Sequence, residues 1–225
     1  MDWLITKAQQ FCWMASRLLR LRFAIRARIP AKLFADGSDR RIILAPAHRS
    51  FLDPWFIAAA LDRRQMRHLV PVRILATQTF ERVAPLTSLI RLLYRVMGVI
   101  ALPPRGEDRS LEEKTGPLVN ALEAGDPVVI FPEGHVRRQG SAGAGTFQRG
   151  VVHVQRASGA PVVVIDIRFA ARRGFRRPCT ITASGPLNVP ASLDLDAGAA
   201  WLAGQLVELD PDRPPGPPAP SAQPG

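Results

Sequence analysis

The chain has 225 residues, enough for one sizeable hydrophobic core and too few for two full domains. Its hydrophobic content of 47% and charged content of 22% are those of a folded protein and argue against global disorder. Lysine and arginine number 30 against 19 acidic residues, and this excess lies before residue 178. It favours phosphate-bearing partners, whether anionic lipid, phosphorylated metabolites or nucleic acid.

The first thirty residues predict an amphipathic, basic helix. Apolar side chains recur there every three or four positions, at Leu4, Ala8, Phe11, Ala15 and Leu18, with Met14 and Leu21 alongside. Beyond Leu21 the pattern weakens, because Arg22 and Arg26 come round to the apolar side. Long basic side chains are tolerated at a lipid surface, where they reach phosphate head groups. Residues 1–30 are therefore interpreted either as a membrane-attachment segment or as a helix packed on its own domain.

From Arg41 onward, short apolar runs alternate with helical patterns. Strands are predicted for residues 41–45, 68–72, 98–102, 127–131, 161–169 and 179–184. Helices are predicted for residues 54–62, 89–97, 107–125, 146–159 and 197–209. This alternation predicts an α/β domain over residues 31–209, with a single mixed, largely parallel sheet flanked by helices. Residues 210–225 are rich in proline and predict a disordered tail.

The stretch "APAHRSFLDP", residues 45–54, places a histidine and an aspartate five positions apart. On an ideal helix such residues point about 140° from each other, so His48 and Asp53 meet only where a loop turns into a helix. Asp53 followed by Pro54 predicts that junction, since aspartate suits an N-cap and proline the first helical position.

Two interpretations of this stretch stay open. In the first, Asp53 caps the helix and His48 contacts nothing reactive. In the second, the carboxylate of Asp53 accepts the Nδ1 proton of His48, which leaves Nε2 as a general base. A third, with Ser50 as a nucleophile, is disfavoured because no glycine elbow surrounds the serine.

A second polar group follows the apolar run "PVVIF", where Glu133, Gly134, Arg137 and Arg138 lie close together in sequence. Open α/β sheets bind ligands at the carboxyl ends of their strands. Guanidinium groups bind phosphate in a bidentate manner. The stretch predicts either a ligand-binding loop or a solvated basic loop.

"HRSFLDP" and the later "FPEG" resemble the H-x4-D and F-P-E-G-T-R motifs of the glycerolipid acyltransferases, the family of 1-acylglycerol-3-phosphate acyltransferase. "GVIALPPR", "FQRG" and "GAPVVVI" resemble further blocks of that family in the same order, so the resemblance covers roughly residues 40–170. The chain departs from the family pattern at several positions. These are Ala47 for asparagine, His135 and Val136 for threonine and arginine, Val164 for proline, and Arg105 and Arg137, each one place late.

The resemblance implies an O-acyltransferase of phospholipid synthesis. His48 would take the proton from an acceptor hydroxyl, and Asp53 would orient the histidine. The oxygen would attack the thioester of acyl-CoA or acyl carrier protein, without a metal, a cofactor or a covalent enzyme intermediate. The implied acceptor is lysophosphatidic-acid-like, and the implied substrate-binding residues are Glu133, Gly134, Arg137, Arg105 and Arg149.

An insoluble acceptor requires a membrane surface, and the basic N-terminal segment is the expected attachment. We expect a peripheral enzyme on the cytoplasmic face of the inner (cell) membrane. Acylation of another lysolipid or hydroxyl lipid is the first alternative. A non-catalytic protein that binds membranes or anions is the second, and no nucleic-acid partner is expected because the usual motifs are missing.

Overall fold

The computed structural model describes residues 2–34, 39–77, 87–102, 110–134, 145–172 and 174–209. Within these ranges the helices are α1 (Asp2–Ser16), α2 (Leu19–Arg22), α3 (Asp53–Ala60), α4 (Arg63–Leu69), α5 (Thr87–Val96), α6 (Leu111–Glu123), α7 (Gly150–Ser158) and α8 (Leu195–Glu208). The strands are β1 (Phe23–Arg28), β2 (Ile43–Pro46), β3 (Arg73–Thr77), β4 (Val99–Leu102), β5 (Val128–Val129), β6 (Val162–Phe169) and β7 (Arg177–Ala183).

The strands form one sheet in the order β1-β7-β6-β2-β5-β3-β4. Strands β6, β2, β5, β3 and β4 run parallel to one another, whereas β7 is antiparallel to β6 and pairs in parallel with β1. The prediction of a single mixed, largely parallel sheet flanked by helices is confirmed.

Both faces of the sheet are covered, which explains the unbroken apolar run of β6. Successive side chains of a strand point to opposite faces. Val162 and Val164 therefore join a core cluster with residues of α6, α7 and α8. Val163 and Ile165 join a second cluster with residues of α3 and α4 on the other face. Strands buried on both sides read as continuous hydrophobic sequence rather than as alternation.

The prediction that residues 1–30 are helical is wrong beyond Arg22. Phe23–Arg28 forms the edge strand β1, in parallel register with β7. Phe23 and Ile25 pack against the core, whereas Arg26 and Arg28 are exposed, as charged residues on an edge strand commonly are. The last part of this segment therefore belongs to the same sheet as the rest of the fold.

The predicted apolar stripe of α1 faces outward. Leu4, Phe11 and Met14 are exposed, and Leu18 and Leu21 continue the exposed surface beyond the helix. Trp3 is exposed beside them. The helix packs on the domain through its opposite face, where Ile5, Gln9 and Ser16 are buried. The periodicity identified an apolar face correctly but could not tell which face meets the protein.

The predicted strand at 68–72 is wrong. Helix α4 occupies Arg63–Leu69 because Asp62 and Gln65 form a capping box, in which each side chain accepts the other residue's backbone N–H. The strand of this region, β3, begins at Arg73. The proposed tail, residues 210–225, lies outside the described residues. Over the described ranges, none of the helices is long and apolar enough to cross a bilayer.

Candidate active site

The sheet topology brings the two sequence motifs together. Strands β2 and β5 are adjacent and parallel, with Ile43 opposite Val128, and the amide of Ile130 donates to the carbonyl of Leu44 at 2.9 Å. The loop after β2 and the turn after β5 therefore leave the same edge of the sheet side by side. This is the carboxyl edge, where parallel α/β sheets bind their ligands.

His48 and Asp53 are in direct contact across the loop that joins β2 to α3. Nδ1 of His48 lies 3.0 Å from Oδ2 of Asp53. The same oxygen accepts the backbone amides of Arg49 at 2.7 Å and Ser50 at 2.8 Å. Asp53 is fully buried, whereas the His48 side chain keeps 15% of its surface exposed. A buried carboxylate thus holds a histidine that solvent or substrate can still reach.

The alternative in which Asp53 only caps α3 is wrong. The helix begins at Asp53 itself, its N-cap position is Leu52, and no side chain caps it. The carboxylate instead turns back to the amides of Arg49 and Ser50, which precede the helix. The hydrogen bonds of the carboxylate therefore hold the loop and the imidazole, and they do not cap the first turn of α3.

Ser50 has a local structural role in this loop. Its hydroxyl oxygen accepts the amide of Leu52 at 3.1 Å, while its carbonyl accepts the amide of Asp53. Such hydrogen bonds are typical of serine at a turn.

Phe131 completes the surroundings of His48. The two rings lie 4.2 Å apart between centroids with an interplanar angle of 35°, and Phe51 approaches the imidazole edge-on at 6.2 Å. The first residue of the second motif therefore packs against the histidine of the first motif. The imidazole lies between aromatic surface and a buried carboxylate, so its orientation is fixed by packing as well as by hydrogen bonding.

The turn Phe131–Gly134 depends on glycine at its last position. The amide of Gly134 donates to the carbonyl of Phe131 at 3.1 Å, and its φ of +68° lies in the left-handed region that favours glycine. A side chain there would also run into the amide group of Gln148. The backbone amide of Gln148 donates to the carbonyl of Pro132 at 2.8 Å, and this hydrogen bond joins the turn to the segment that enters α7.

Glu133 is buried beneath the same turn, with 1% of its surface exposed. A Cβ atom on Gly145 would lie 2.7 Å from Cδ of Glu133, so the backbone of residue 145 passes directly over this carboxylate. Glu133 is therefore buried against the backbone of Gly145 rather than presented to the surface.

The predicted basic residues fall into two groups. Arg149 immediately precedes α7 and has an exposed side chain, in the segment that Gln148 ties to the Phe131–Gly134 turn. Arg105 and Arg137, like Arg138, His135 and Val136, lie outside the described residues. The structure thus joins His48, Asp53 and the Phe131–Gly134 turn, and it leaves the roles of the basic residues as predictions.

Sequence reasoning missed a charged cluster at the same edge. Asp166 on β6 is buried and contacts the guanidinium groups of Arg49 and Arg168. The available signal was the pair of charges inside the apolar run "VVVIDIRF". Its connection to Arg49 depends on the pairing of β6 with β2, which sequence spacing does not reveal.

The two cysteines, Cys12 and Cys179, are both free thiols. Burial, together with the negative charge of Asp53, raises the pKa of the Cys179 thiol to about 12. Within the described ranges, no three histidine, cysteine, aspartate or glutamate side chains are close enough to hold a metal ion.

The arrangement at the carboxyl edge can perform general base chemistry. When Nδ1 of His48 carries the proton and donates it to Asp53, Nε2 has a free lone pair that can accept a proton from a hydroxyl. The carboxylate stabilises the imidazolium that results. Such a base typically contributes about 10² to 10⁴ in rate.

Comparison with known proteins gives two results. The family model described as Acyltransferase matches residues 20–168, a range that includes His48, Asp53 and the Phe131–Gly134 turn. Among solved structures, the chain is similar to the 1-acyl-sn-glycerophosphate (LPA) acyltransferase PlsC from Thermotoga maritima, at 14% sequence identity and a TM-score of 0.57. That match covers 93% of this chain and 81% of the other. At such low identity the likeness shows a shared fold.

Proposed function

The chain belongs to the acyltransferase family, and from this premise we propose that it transfers a fatty acyl chain to a hydroxyl of a lysophosphatidic-acid-like acceptor in phospholipid synthesis. The proposed donor is acyl-CoA or acyl carrier protein. The observation that carries the proposal is the contact of His48 with the fully buried Asp53, beside the turn that begins at Phe131.

In the proposed mechanism, Nε2 of His48 removes the proton from the acceptor hydroxyl as the oxygen attacks the carbonyl carbon of the thioester. Asp53 keeps Nδ1 protonated and stabilises the positive charge of the imidazolium. The carbon–sulfur bond then breaks, and the leaving thiolate takes the proton back from His48. Atoms and charge balance without a metal, a cofactor or a covalent enzyme intermediate.

The substrate-binding roles are assigned by the family resemblance. Glu133 and Gly134 shape the turn beside His48, and Arg149 lies in the segment tied to that turn. Arg105 and Arg137 are proposed to contact phosphate groups of the acceptor or of the donor.

The experiment that tests this proposal is acyl transfer by the purified protein in vesicles. Labelled acyl-CoA and acylated carrier protein serve as donors, with glycerol 3-phosphate, lysophosphatidic acid and a neutral lysolipid as acceptors. We expect transfer to lysophosphatidic acid and a loss of at least about 10²-fold in His48→Ala. His153→Ala, which changes a histidine of α7, is the matched control and should keep its activity. Equal rates for His48→Ala and the wild type would contradict the assignment of the base.

The acceptor panel also decides between lysophosphatidic acid and another lipid. The residues after F-P-E-G differ from the family pattern at His135 and Val136, which is why a different lysolipid or hydroxyl lipid is the second candidate. A preference for the neutral lysolipid would favour that candidate. Absence of transfer to every acceptor, combined with vesicle binding, would favour a non-catalytic lipid-binding protein.

We further propose that the outer face of α1 attaches the protein peripherally to a membrane, on the cytoplasmic face of the inner (cell) membrane. Trp3, Phe11 and Leu18 are 71%, 70% and 67% exposed, and together they give an apolar surface with no partner in the described part of the chain. Exposed apolar patches of this kind mark interaction sites. Arg17 and Arg22 are exposed near it, and each basic residue close to an anionic leaflet contributes about 1 kcal/mol.

Point substitutions on this face test the attachment better than a deletion, since deleting residues 1–28 would remove β1 from the sheet. Replacing Trp3, Phe11 and Leu18 with serine should reduce flotation with anionic vesicles about tenfold or more and leave the melting temperature nearly unchanged. Phe175→Ser, at an equally exposed aromatic between β6 and β7, is the matched control. Undiminished flotation of the triple variant would refute this mode of attachment.

A further inference from the structure

Three charged side chains meet at the carboxyl end of β6. This strand lies beside β2, and the amide of Ala47 donates to the carbonyl of Ile165 at 2.8 Å, which extends the pairing past the end of β2. Asp166 and Arg168 are two residues apart on β6, so they share one face of the sheet. Arg49, in the loop that leaves β2, reaches the same place.

A single buried carboxylate holds two guanidinium groups. Asp166 is 2% exposed, its Oδ2 accepts from Nε of Arg168, and its Oδ1 lies 3.7 Å from Nη2 of Arg49. The two arginine side chains keep 34% and 24% of their surface exposed. Both arginine side chains are therefore partly exposed beside a buried carboxylate.

The arrangement leaves hydrogen-bonding capacity on Arg49. Its Nε is buried and has no acceptor among the described residues. A guanidinium has five N–H donors in a fixed fork that matches phosphate and carboxylate oxygens. An ion pair that served only the fold would need one arginine for Asp166, whereas here two cations are oriented together.

The cluster is tied to the general base through the backbone of Arg49. Its amide donates at 2.7 Å to Oδ2 of Asp53, the oxygen that also contacts His48. The guanidinium of Arg49 is therefore within one side-chain length of the catalytic pair. In a lysophosphatidic acid the reacting hydroxyl and the phosphate are carried by neighbouring carbons of one glycerol, so a phosphate site must lie this close to the base.

We propose that Arg49 and Arg168, oriented by Asp166, bind the phosphate monoester of the acceptor. This inference rests on the proposed acyl transfer. A phosphate monoester carries close to two negative charges at neutral pH, and two guanidinium groups can bind its oxygens in a bidentate manner. A phosphate of the acyl-CoA donor has the same chemistry, and the kinetic test distinguishes the two sources.

The kinetic test compares Arg49→Met and Arg168→Met with Arg63→Met. Methionine keeps the apolar stem at each position, and Arg49→Met also keeps the backbone amide that binds Asp53. Arg63, the exposed first residue of α4, provides a control that loses the same charge. We expect the KM for lysophosphatidic acid to rise about tenfold or more in the first two variants only. The constants for monoacylglycerol and for acyl-CoA should stay within about twofold.

Other kinetic outcomes overturn the assignment. If the KM for acyl-CoA rises and that for lysophosphatidic acid does not, the cluster binds the donor phosphate. If the melting temperature falls while every KM stays constant, the cluster is a structural ion group.

A binding measurement keeps this inference separate from the proposed function. Glycerol 3-phosphate is titrated into the full chain and followed by phosphorus NMR, which needs no turnover. The wild type and His48→Ala should bind it, and the Arg49→Met/Arg168→Met double variant should bind about tenfold or more weakly. If no variant transfers acyl chains but this difference persists, the phosphate site stands and the proposed function fails. Equal binding by the double variant and the wild type overturns the site whether or not transfer occurs.

Discussion

Among the buried carboxylates at the carboxyl edge of the sheet, Asp53 and Asp166 both contact Arg49. Its backbone amide donates to Asp53, whereas its guanidinium pairs with Asp166. The other partners of Asp53 are a second amide and the imidazole of His48, so the loop backbone fixes this group. The partners of Asp166 are long cationic side chains that reach the surface. In the proposed roles, Asp53 orients the general base and Asp166 orients two guanidinium groups toward a ligand.

The largest expected effect comes from Asp53→Asn. The asparagine side chain fills the same space, but it carries no negative charge and can no longer stabilise the imidazolium of His48. We expect kcat for acyl transfer to fall about 10²- to 10⁴-fold, with a melting temperature close to that of the wild type. Steady-state kinetics and thermal unfolding measure the two quantities. A loss of less than about threefold in kcat would remove the distinction between the two carboxylates.

Asp166→Asn should show the opposite pattern. Two partly exposed guanidinium groups lose their charged partner, so we expect the free energy of unfolding to fall by about 1–2 kcal/mol, limited by the solvent that reaches both arginines. We expect kcat to stay within about threefold, because the His48–Asp53 pair is unchanged. Chemical denaturation and kinetics at saturating acceptor are the measurements. A kcat loss as large as that of Asp53→Asn would mean that the two sites act as one unit.

Ser50→Ala separates the chemistry of the loop from its hydrogen bonding. The hydroxyl oxygen accepts only the Leu52 amide in the described contacts, so its removal should cost about 0.5–1.5 kcal/mol of stability and change kcat by less than about threefold. Kinetics beside His48→Ala check this expectation. A comparable loss in both variants, or a trapped acyl-serine after acid quench, would establish the nucleophile that the loop geometry argues against.

The smallest expected effect concerns Cys179, because the negative charge of Asp53 contributes to the raised pKa of its thiol. Because its pKa is about 12 in the folded protein against an ordinary value of 9.0, it should resist alkylation at pH 8. The raised pKa contributes stability that is present below about pH 9 and is lost as the pH rises toward 12. Asp53→Asn should lower this pKa, although burial, the larger cause, keeps it above its ordinary value. Mass spectrometry of alkylated protein and denaturation at pH 8 and 10.5 measure both effects.

Sequence reasoning predicted the family resemblance and the fold, and both are confirmed. Strands such as 161–169 were predictable because burial on both faces leaves an unbroken apolar run. Strand β1 was missed because it lies at the edge, where "FAIRAR" combines apolar and charged residues. The strand predicted at 68–72 was wrong because a local capping box at Asp62 and Gln65 favours a helix.

For the candidate site, local sequence predicted the contacts within one loop but not the contacts between strands. The contact of His48 with Asp53 was predictable because both residues lie in one loop, and spacing alone limits how they can meet. The contact of Asp166 with Arg49 joins residues 117 positions apart and arises from strand pairing. The catalytic and binding roles of the predicted residues stay predictions that the experiments above address.

The way in which α1 is fixed to the domain has a mechanical consequence. The side-chain amide of Gln9 donates to the carbonyls of Val72 and Met97 at 2.7 and 2.9 Å and accepts the Val72 amide at 2.9 Å. Arg20 donates to the carbonyl of Ala59 at 2.8 Å, and the chain then enters the sheet as β1.

A flexible linker would allow a range of heights and tilts above a bilayer. With its outer face in the bilayer, α1 would instead act as a rigid anchor, and the carboxyl edge of the sheet would have one height above the membrane and one tilt relative to it. The enzyme would then search for its acceptor in two dimensions, and its rate would follow the mole fraction of acceptor in the membrane rather than the bulk concentration.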